Sequence, residues 1–397
     1  MKTIFWRKLV TSKNQPLGYR LLSWVLFAVS LFYRFAVALR NILYNKSILK
    51  TVKVPAAVIS IGNITTGGTG KTPLVAWLCN YFATKNIKTA VLTRGYRVKN
   101  SAFADEPAML AKAAPQAKVI VNPDRIAGAE KAISQHNAKL LIMDDGFQHR
   151  KLARDVNIVA IDATEPFGYE KLLPAGLLRE PLGSLKRADA VVITRINQTP
   201  SASCQPPPHC FDLRSKTVGR PAATSCDVSR SGKSGAAGEA REGEKISEIK
   251  ERISKINPDI VFAAAVHKPM GIKLIKDKRI PLNKLAGRKI YAFCGIGNPD
   301  AFFQTLSDMA LNIVGTKVYN DHHKYTESDI AAIYEDAKYK QAQLVLTTHK
   351  DWMKTALLCI DKFEIPFAAL MIELEFIDGQ EKIISLVDKA IEKYVSR

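Results

Sequence analysis

The stretch Ser60-Ile61-Gly62-Asn63-Ile64-Thr65-Thr66-Gly67-Gly68-Thr69-Gly70-Lys71-Thr72-Pro73 decides how this chain is read. An apolar, strand-like run (55–61) leads into it and an apolar helical run (74–82) follows. Strand, glycine-rich loop, Lys-Thr and helix, in that order, form the context of a phosphate-binding loop. Gly67, Gly68 and Gly70 let backbone N–H groups turn inward around phosphate oxygens, with no Cβ in the way. Lys71 has the reach for β- and γ-phosphates, and the Thr72 hydroxyl is suited to hold Mg²⁺. The following helix aims its positive end at the same anion. Thr65, Thr66, Gly67, Gly68, Thr69, Gly70, Lys71 and Thr72 are therefore the candidate nucleotide-binding residues. The usual spacing, G-x-x-x-x-G-K-[ST], wants glycine at position 65, where this chain has Thr65. A glycine-rich turn with a chance Gly-Lys-Thr is the competing reading, and the flanking strand and helix argue against it.

The chain has 397 residues, enough for two domains and a sizeable core. Its 58 Lys and Arg against 37 Asp and Glu leave a net charge of +21, which suggests an anionic partner. Membrane lipid, nucleic acid and a phosphorylated substrate all fit, and charge alone does not choose among them. The cysteines at 79, 204, 210, 226, 294 and 359 form no C-x-x-C pair, which suits a reduced, cytosolic compartment. Cys204, His209 and Cys210 lie in a proline-rich loop without the second pair that a structural metal site needs.

Near the N-terminus, Leu21 to Tyr33 is an uncharged apolar run containing Trp24, Phe27 and Phe32. It is shorter than the roughly 20 residues of a spanning helix. The helical pattern extends from Leu17 to Tyr44 but is interrupted by Arg20, Arg34 and Arg40. Arg20 and Arg34 are close to four turns apart and share a face. This predicts a helix lying in the membrane interface, arginines toward headgroups and aromatics toward acyl chains. Two other readings are a cleaved signal peptide, with Ala36-Val37-Ala38 as the cleavage-like triplet, and a buried first helix of a soluble protein.

From residue 55 the pattern alternates. Apolar runs at 57–61, 89–93, 118–121, 140–143, 157–161 and 190–194 read as buried strands, with helices at 73–85, 106–114 and 123–135 between them. The expected fold is α/β, a P-loop-type, mostly parallel sheet with helices on both faces. Residues 198 to 250 are rich in Ser, Pro, Gly, Ala and charge and read as a partly irregular insertion. Alternation resumes with strands at 260–266, 289–294, 313–318, 344–347 and 367–374, and helices near 299–309, 327–340 and 379–395. The expected organisation is an N-terminal membrane-associated segment (1–54), a P-loop core (55–197), a polar insertion (198–255) and a smaller C-terminal α/β domain (256–397).

Several strand ends carry chemistry-bearing residues. The run 140–149 is an apolar strand ending in Asp144 and Asp145, followed by Gly146-Phe147-Gln148-His149. A carboxylate at such a strand end completes the Mg²⁺ shell in P-loop proteins. Thr93-Arg94-Gly95-Tyr96-Arg97 also follows a strand, where ligands bind in open α/β sheets. Arg94 is suited to phosphate and Tyr96 to positioning substrate. Asp105, at a helix start before Glu106-Pro107, is either an N-cap or a general base, and spacing alone favours the cap. Arg179, in Leu178-Arg179-Glu180-Pro181, can neutralise charge on a transferring phosphoryl group. Of the adjacent His322 and His323, one can cap the helix beginning near Thr326 while the other faces a cleft; neighbouring side chains diverge too far to share one metal.

Taken together, these stretches resemble the tetraacyldisaccharide 4′-kinases of lipid A synthesis. The resemblance rests on Gly62-Asn63 leading to 67–73, Thr93-Arg94-Gly95-Tyr96, Asp105-Glu106-Pro107, 144–149, and Leu173-Pro174-Ala175-Gly176 with Leu178-Arg179-Glu180-Pro181. In the second half it rests on Phe293-Cys294-Gly295-Ile296-Gly297-Asn298-Pro299 and Asp321-His322-His323. Thr65 replaces glycine as that family also does. The resemblance implies ATP- and Mg²⁺-dependent phosphorylation of the 4′-hydroxyl of an acylated glucosamine disaccharide 1-phosphate. It implies Asp105 as base assisted by His322, Asp144 and Asp145 with Thr72 at the metal, Lys71 and Arg179 in catalysis, and Arg94, Tyr96 and His149 around the substrate. It further implies a membrane-associated protein at the cytoplasmic face of the bacterial inner membrane, on an anionic surface, without nucleic acid or an obligate protein partner. One departure is His349 in Thr347-Thr348-His349-Lys350-Asp351, where the family tends to have glutamate. The main rival is a P-loop ATPase or GTPase acting as a targeting or metal-insertion switch. A basic nucleic-acid-binding ATPase is weaker, because no interleaved aromatic and basic motif is present.

Overall fold

Continuous apolar runs become strands buried from both sides. The computed structural model describes residues 17–95, 105–198, 235–275, 278–321, 323–358 and 360–395. Strands β1 (Ala57–Gly62), β2 (Thr89–Thr93), β4 (Leu140–Asp144) and β6 (Ala190–Thr194) are buried at every residue. In β5 (Val156–Asp162) only Asn157 is partly exposed. The edge strand β3 (Lys118–Val121) is largely open. Helices α2 (Lys71–Thr84), α3 (Asp105–Ala113) and α4 (Arg125–His136) connect them, preceded by α1 (Leu17–Asn45). Helix α4 shows why its bounds fall where they do. The Asp124 side chain accepts from the Ile126 amide at the start, and Asn137 takes a left-handed conformation at the end.

The second half contributes α5 (Gly235–Ser254), β7 (Val261–Leu274), β8 (Arg279–Ile280), β9 (Lys289–Cys294), α6 (Pro299–Asp308) and β10 (Asn312–Val318). It continues with α7 (Glu327–Tyr339), β11 (Leu344–Thr348), α8 (His349–Thr355), β12 (Phe367–Asp378) and α9 (Gln380–Val395). Strands of both halves join one sheet, ordered β10-β9-β11-β12-β7-β6-β5-β1-β4-β2-β3, with β8 on β7. Pairing is parallel except for β7 with β12 and with β8. Strand β7 runs eight residues beyond the expected 260–266. Its antiparallel ladder with β12 carries it past Pro269 and Gly271, where a register shift between Met371 and Ile372 absorbs the irregularity. Within the segment read as polar, α5 forms because Ile246, Ile249 and Ile253 recur at helical spacing, and the last two are buried against the β5–β6 face.

Helix α9 returns to the first half. Ile383, Val387 and Ile391 share a core with Ile59, Ile61, Leu74, Leu78 and Phe82, beneath β1 and β5. Its Asp388 accepts from the Tyr81 hydroxyl at 2.8 Å and pairs with Lys85 at 2.6 Å. Burying each large apolar side chain here is worth about 1.5–3 kcal/mol. The result is a rigid floor under β1. From that strand the chain goes to β2 and β4 on one side, then crosses to β5 on the other. The end of β1 is thus the topological switch point of the sheet, where open α/β sheets bind ligands.

Helix α1 leaves most of its apolar side chains outside: Trp24 is 71% exposed, Phe32 78% and Phe35 68%. That contrasts with a buried first helix of a soluble protein. By length and composition the segment Arg20–Asn45, whose most apolar 18-residue window has mean hydropathy 1.8, is also sufficient to cross a membrane. The helix spans the expected 17–44 pattern, arginine-bearing turns included, and so is longer than the uncharged run within it.

Candidate active site

The loop after β1 is held in shape by the protein around it. The Asn63 side-chain amide donates to the Thr65 carbonyl at 2.6 Å, and that of Gln148 donates to the Asn63 carbonyl at 2.7 Å. The Thr66 amide donates to the Leu177 carbonyl and the Arg179 amide to the Ile64 carbonyl, both at 2.7 Å. The incoming arm of the loop is thereby laced to residues 177–179. The Thr194 hydroxyl, at the end of β6, donates to the Thr69 carbonyl at 2.9 Å from below. Gly70 turns the corner into α2 with φ +77°, and a Cβ there would sit 2.8 Å from His267 Nε2. No side chain caps α2. Its first-turn N–H groups have no intrahelical partner and form a ready anion site.

Lys71, the first residue of α2, extends toward the end of β4, where its Nζ lies 3.3 Å from Asp145 Oδ1. Arg179 Nη1 donates to Asp145 Oδ2 at 2.8 Å. Asp145 sits just past the strand with φ +53°. Burial alone would raise its pKa, but Lys71 and Arg179 outweigh burial and bring it down to about 2. The preceding Asp144 is buried, and its carbonyl accepts from Arg125 Nη2 at 3.0 Å. One hydroxyl, Thr72, and two carboxylates are hard oxygen donors that suit Mg²⁺. Among the described residues no group of three or more His, Cys, Asp and Glu gathers to hold a metal. An ion held by one or two carboxylates together with substrate phosphates needs no such protein cage.

His149 closes the turn after Asp145. Its amide donates to the Gly146 carbonyl at 2.9 Å, and Arg154 braces the turn through the carbonyls of Gly146, Phe147 and His149. Burial, reinforced by Arg125, Arg154 and Arg94, lowers the His149 pKa to about 4, so the ring is neutral at pH 7. Arg94 is thus electrostatically coupled to His149.

Residues 22–392 match the family model for tetraacyldisaccharide-1-P 4′-kinase. The chain belongs to the tetraacyldisaccharide 4′-kinase family. A tetraacyldisaccharide 4′-kinase of Syntrophus aciditrophicus is 36% identical over 364 residues, 87% of each chain. One of Halothermothrix orenii is 33% identical over 383 residues, covering 89% of this chain and 88% of the relative. The structure is similar to the crystal structure of LpxK from Aquifex aeolicus in complex with ATP. The TM-score is 0.64 at 26% identity, covering 93% of this chain and 99% of the other.

In this tetraacyldisaccharide 4′-kinase family member, the residues brought together are Thr65 to Thr72, Asp144, Asp145 and Arg179, with His149 and Arg94 beside them. Tyr96 and His322 lie outside the described residues. Asp105 opens α3, and its side chain also lies outside them. Helix α3 packs against α2 and α8. The helix start is capped by Thr326 rather than by a histidine, and His323 Nε2 lies 3.1 Å from Asp329 Oδ2, the carboxylate of that capping box. The 295–298 loop reaches the P-loop from the second half. A Cβ on Gly297 would lie 3.4 Å from Asp321 Oδ2 and 3.8 Å from the Gly68 amide nitrogen. Asp321 itself pairs with Lys350 at 3.3 Å. Asp351, fully buried, accepts from the Gly295 amide at 2.9 Å and from the Thr348 hydroxyl at 2.8 Å, so it clamps that loop. Sequence reasoning missed Thr194, Arg195 and His267. Thr194 ends a parallel strand and Arg195 follows it, with its Nη2 3.7 Å from where a Cβ on Gly68 would sit; a strand end was an available signal. His267 lies inside a strand and carried no local signal.

Proposed function

We propose that the protein transfers the γ-phosphoryl group of ATP to the 4′-hydroxyl of a tetraacylated glucosamine disaccharide 1-phosphate, giving ADP and the 1,4′-bisphosphate. The observation that carries this reading is the convergence of Lys71 and Arg179 on Asp145 at the mouth of the P-loop. Membership in the family supports the choice of substrate.

In this reading the P-loop amides and Lys71 hold the β- and γ-phosphates. Thr72, Asp144 and Asp145 would hold Mg²⁺, which supplies charge neutralisation across those phosphates. Arg179 balances charge on the group in flight. Asp105, assisted by His322, takes the proton from the sugar hydroxyl as its oxygen bonds to the γ-phosphorus and the bond to ADP breaks. Arg94, His149 and Tyr96 orient the sugar; His149 does so as a neutral hydrogen-bonding ring. Helix α1 keeps the enzyme on the anionic cytoplasmic face of the inner membrane, where the acyl chains hold the substrate. The test is transfer of labelled γ-phosphate from ATP to the purified tetraacyl disaccharide 1-phosphate. Wild type should label the lipid and Lys71→Ala should nearly abolish labelling. An unlabelled lipid with wild-type enzyme, or full activity of Lys71→Ala, would sink the reading.

A further inference from the structure

One face of α1 is bonded to the loops that build the active site. Tyr33, Val37, Arg40, Asn41 and Tyr44 recur at helical spacing, opposite the exposed Phe32 and Phe35. The Tyr33 hydroxyl donates to the main-chain carbonyl of Arg179 at 2.8 Å. Arg40 Nη2 lies 2.7 Å from Glu180 Oε1, and Asn41 Nδ2 lies 3.4 Å from Oε2. The Glu180 side chain is completely buried and is held from its other side by Arg187 at 2.8 Å. The same stretch of helix grips the second loop. Arg150 Nη1 donates to the Asn41 carbonyl at 3.1 Å and Nη2 to Asn45 Oδ1 at 2.8 Å, with the guanidinium 5.0 Å from the centre of the Tyr44 ring.

These contacts lie directly behind the reacting side of the site. Arg179 is fixed at three points: its amide to Ile64 beside the P-loop, its carbonyl to Tyr33, and its guanidinium to Asp145. Glu180 is the next residue, so the Arg40 ion pair sets the direction of the same backbone. A buried carboxylate stripped of one cation partner is costly, so the loop would shift to find water or another donor. Arg179 would move with it.

We propose that α1 is a positioning element of the catalytic site, with Tyr33 and Arg40 as positioning residues that act through Arg179. This rests on the kinase reading given above and adds a second role to the helix. The surface that meets the lipid and the loop that meets Asp145 are then one bonded unit, so damage to this face is felt in turnover even when the substrate is offered away from a bilayer.

The experiment uses the full chain, with tetraacyl disaccharide 1-phosphate dispersed in detergent micelles and ATP saturating. Tyr33→Phe should lower kcat about three- to tenfold, the worth of one hydrogen bond. Arg40→Gln should lower it about ten- to a hundredfold, the worth of a bond to a charged group, and Arg40→Lys should recover part of that loss. Co-sedimentation of Tyr33→Phe with phosphatidylglycerol-containing vesicles should match wild type. In an Arg179→Ala background, Tyr33→Phe should have little further effect, because residues acting through one another are not additive. Unchanged kcat for Tyr33→Phe overturns the proposal, and so does a loss confined to KM for the lipid or to vesicle binding. Full additivity with Arg179→Ala overturns it too. If Arg40→Gln does not fold, Tyr33→Phe and its cycle with Arg179→Ala decide the matter alone. Wild-type enzyme that fails to label the lipid overturns the kinase reading instead, which separates the two failures.

Discussion

Replacing Asp145 with asparagine tests the electrostatic centre of the site without changing its shape. The carboxylate lies between Lys71 Nζ at 3.3 Å and Arg179 Nη1 at 2.8 Å. Burial works against its charge, yet the two cations bring its pKa from 3.8 to about 2. At about 1.36 kcal/mol per pH unit, that difference corresponds to roughly 2–2.5 kcal/mol of folding stability at neutral pH. The sign follows from proton binding. The unfolded chain takes up the proton first as pH falls, so the stabilisation is complete above the unfolded pKa and disappears toward pH 2. Asp145→Asn should therefore lose roughly 2–2.5 kcal/mol at pH 7 relative to wild type. The gap should shrink to about half by pH 3. Urea unfolding of both proteins without nucleotide, followed by tryptophan fluorescence at several pH values, measures it, provided the slopes agree. Equal stability at pH 7, or a gap that stays constant from pH 7 to pH 3, would refute the charge balance argued here.

Asp105→Ala should lower kcat by about 10² to 10⁴ with little change in ATP affinity, measured by steady-state kinetics and nucleotide titration; wild-type turnover would leave Asp105 only its place at a helix start. Gly70→Ala places a Cβ 2.8 Å from His267 Nε2 at φ +77°. It should cost about 1–2 kcal/mol for the left-handed backbone alone and raise KM for ATP, and an unchanged KM would count against a rigid P-loop corner. His149 should titrate near 4 by NMR, and a phosphate-bearing ligand should raise that value by offsetting Arg94, Arg125 and Arg154. Titration at an ordinary 6.5 would contradict the burial and the arginine cluster.

What the sequence made legible was local. The P-loop, the acidic end of β4 and the capped helices depend on residues within a turn or two of each other. Their side-chain periodicity and cap chemistry are written in order along the chain. What it left hidden was made by meetings across the sheet. Arg179 reaches Asp145 from 34 positions away in sequence, and His267 reaches Gly70 from the far side of β6. Strand β7 outran its expected end because β12 kept supplying backbone partners, which apolar patterning does not record. Arg40 gave the most instructive difference. An arginine in an apolar helix reads as a headgroup contact, yet this one turns inward to the buried Glu180, 140 positions away. Only the fold reveals that partner.

Thr65 shows how a motif mismatch becomes intelligible once the backbone is known. A glycine is required where φ is positive or where a neighbour leaves no room for Cβ. Gly67 and Gly70 meet the first condition, with φ +113° and +77°. Thr65 is absent from the residues with positive φ and bridges to Leu178 as a short antiparallel strand does. Its side chain is buried, with the Cγ2 methyl 3.1 Å from where a Cβ on Gly168 would sit. The first glycine of the general pattern is therefore unnecessary in this loop. The lacing that makes Thr65 acceptable also delivers Arg179 to Asp145. A loop relaxed by glycine at position 65 would lose backbone restraint where the arginine depends on it. On this argument the threonine belongs to the design of the site.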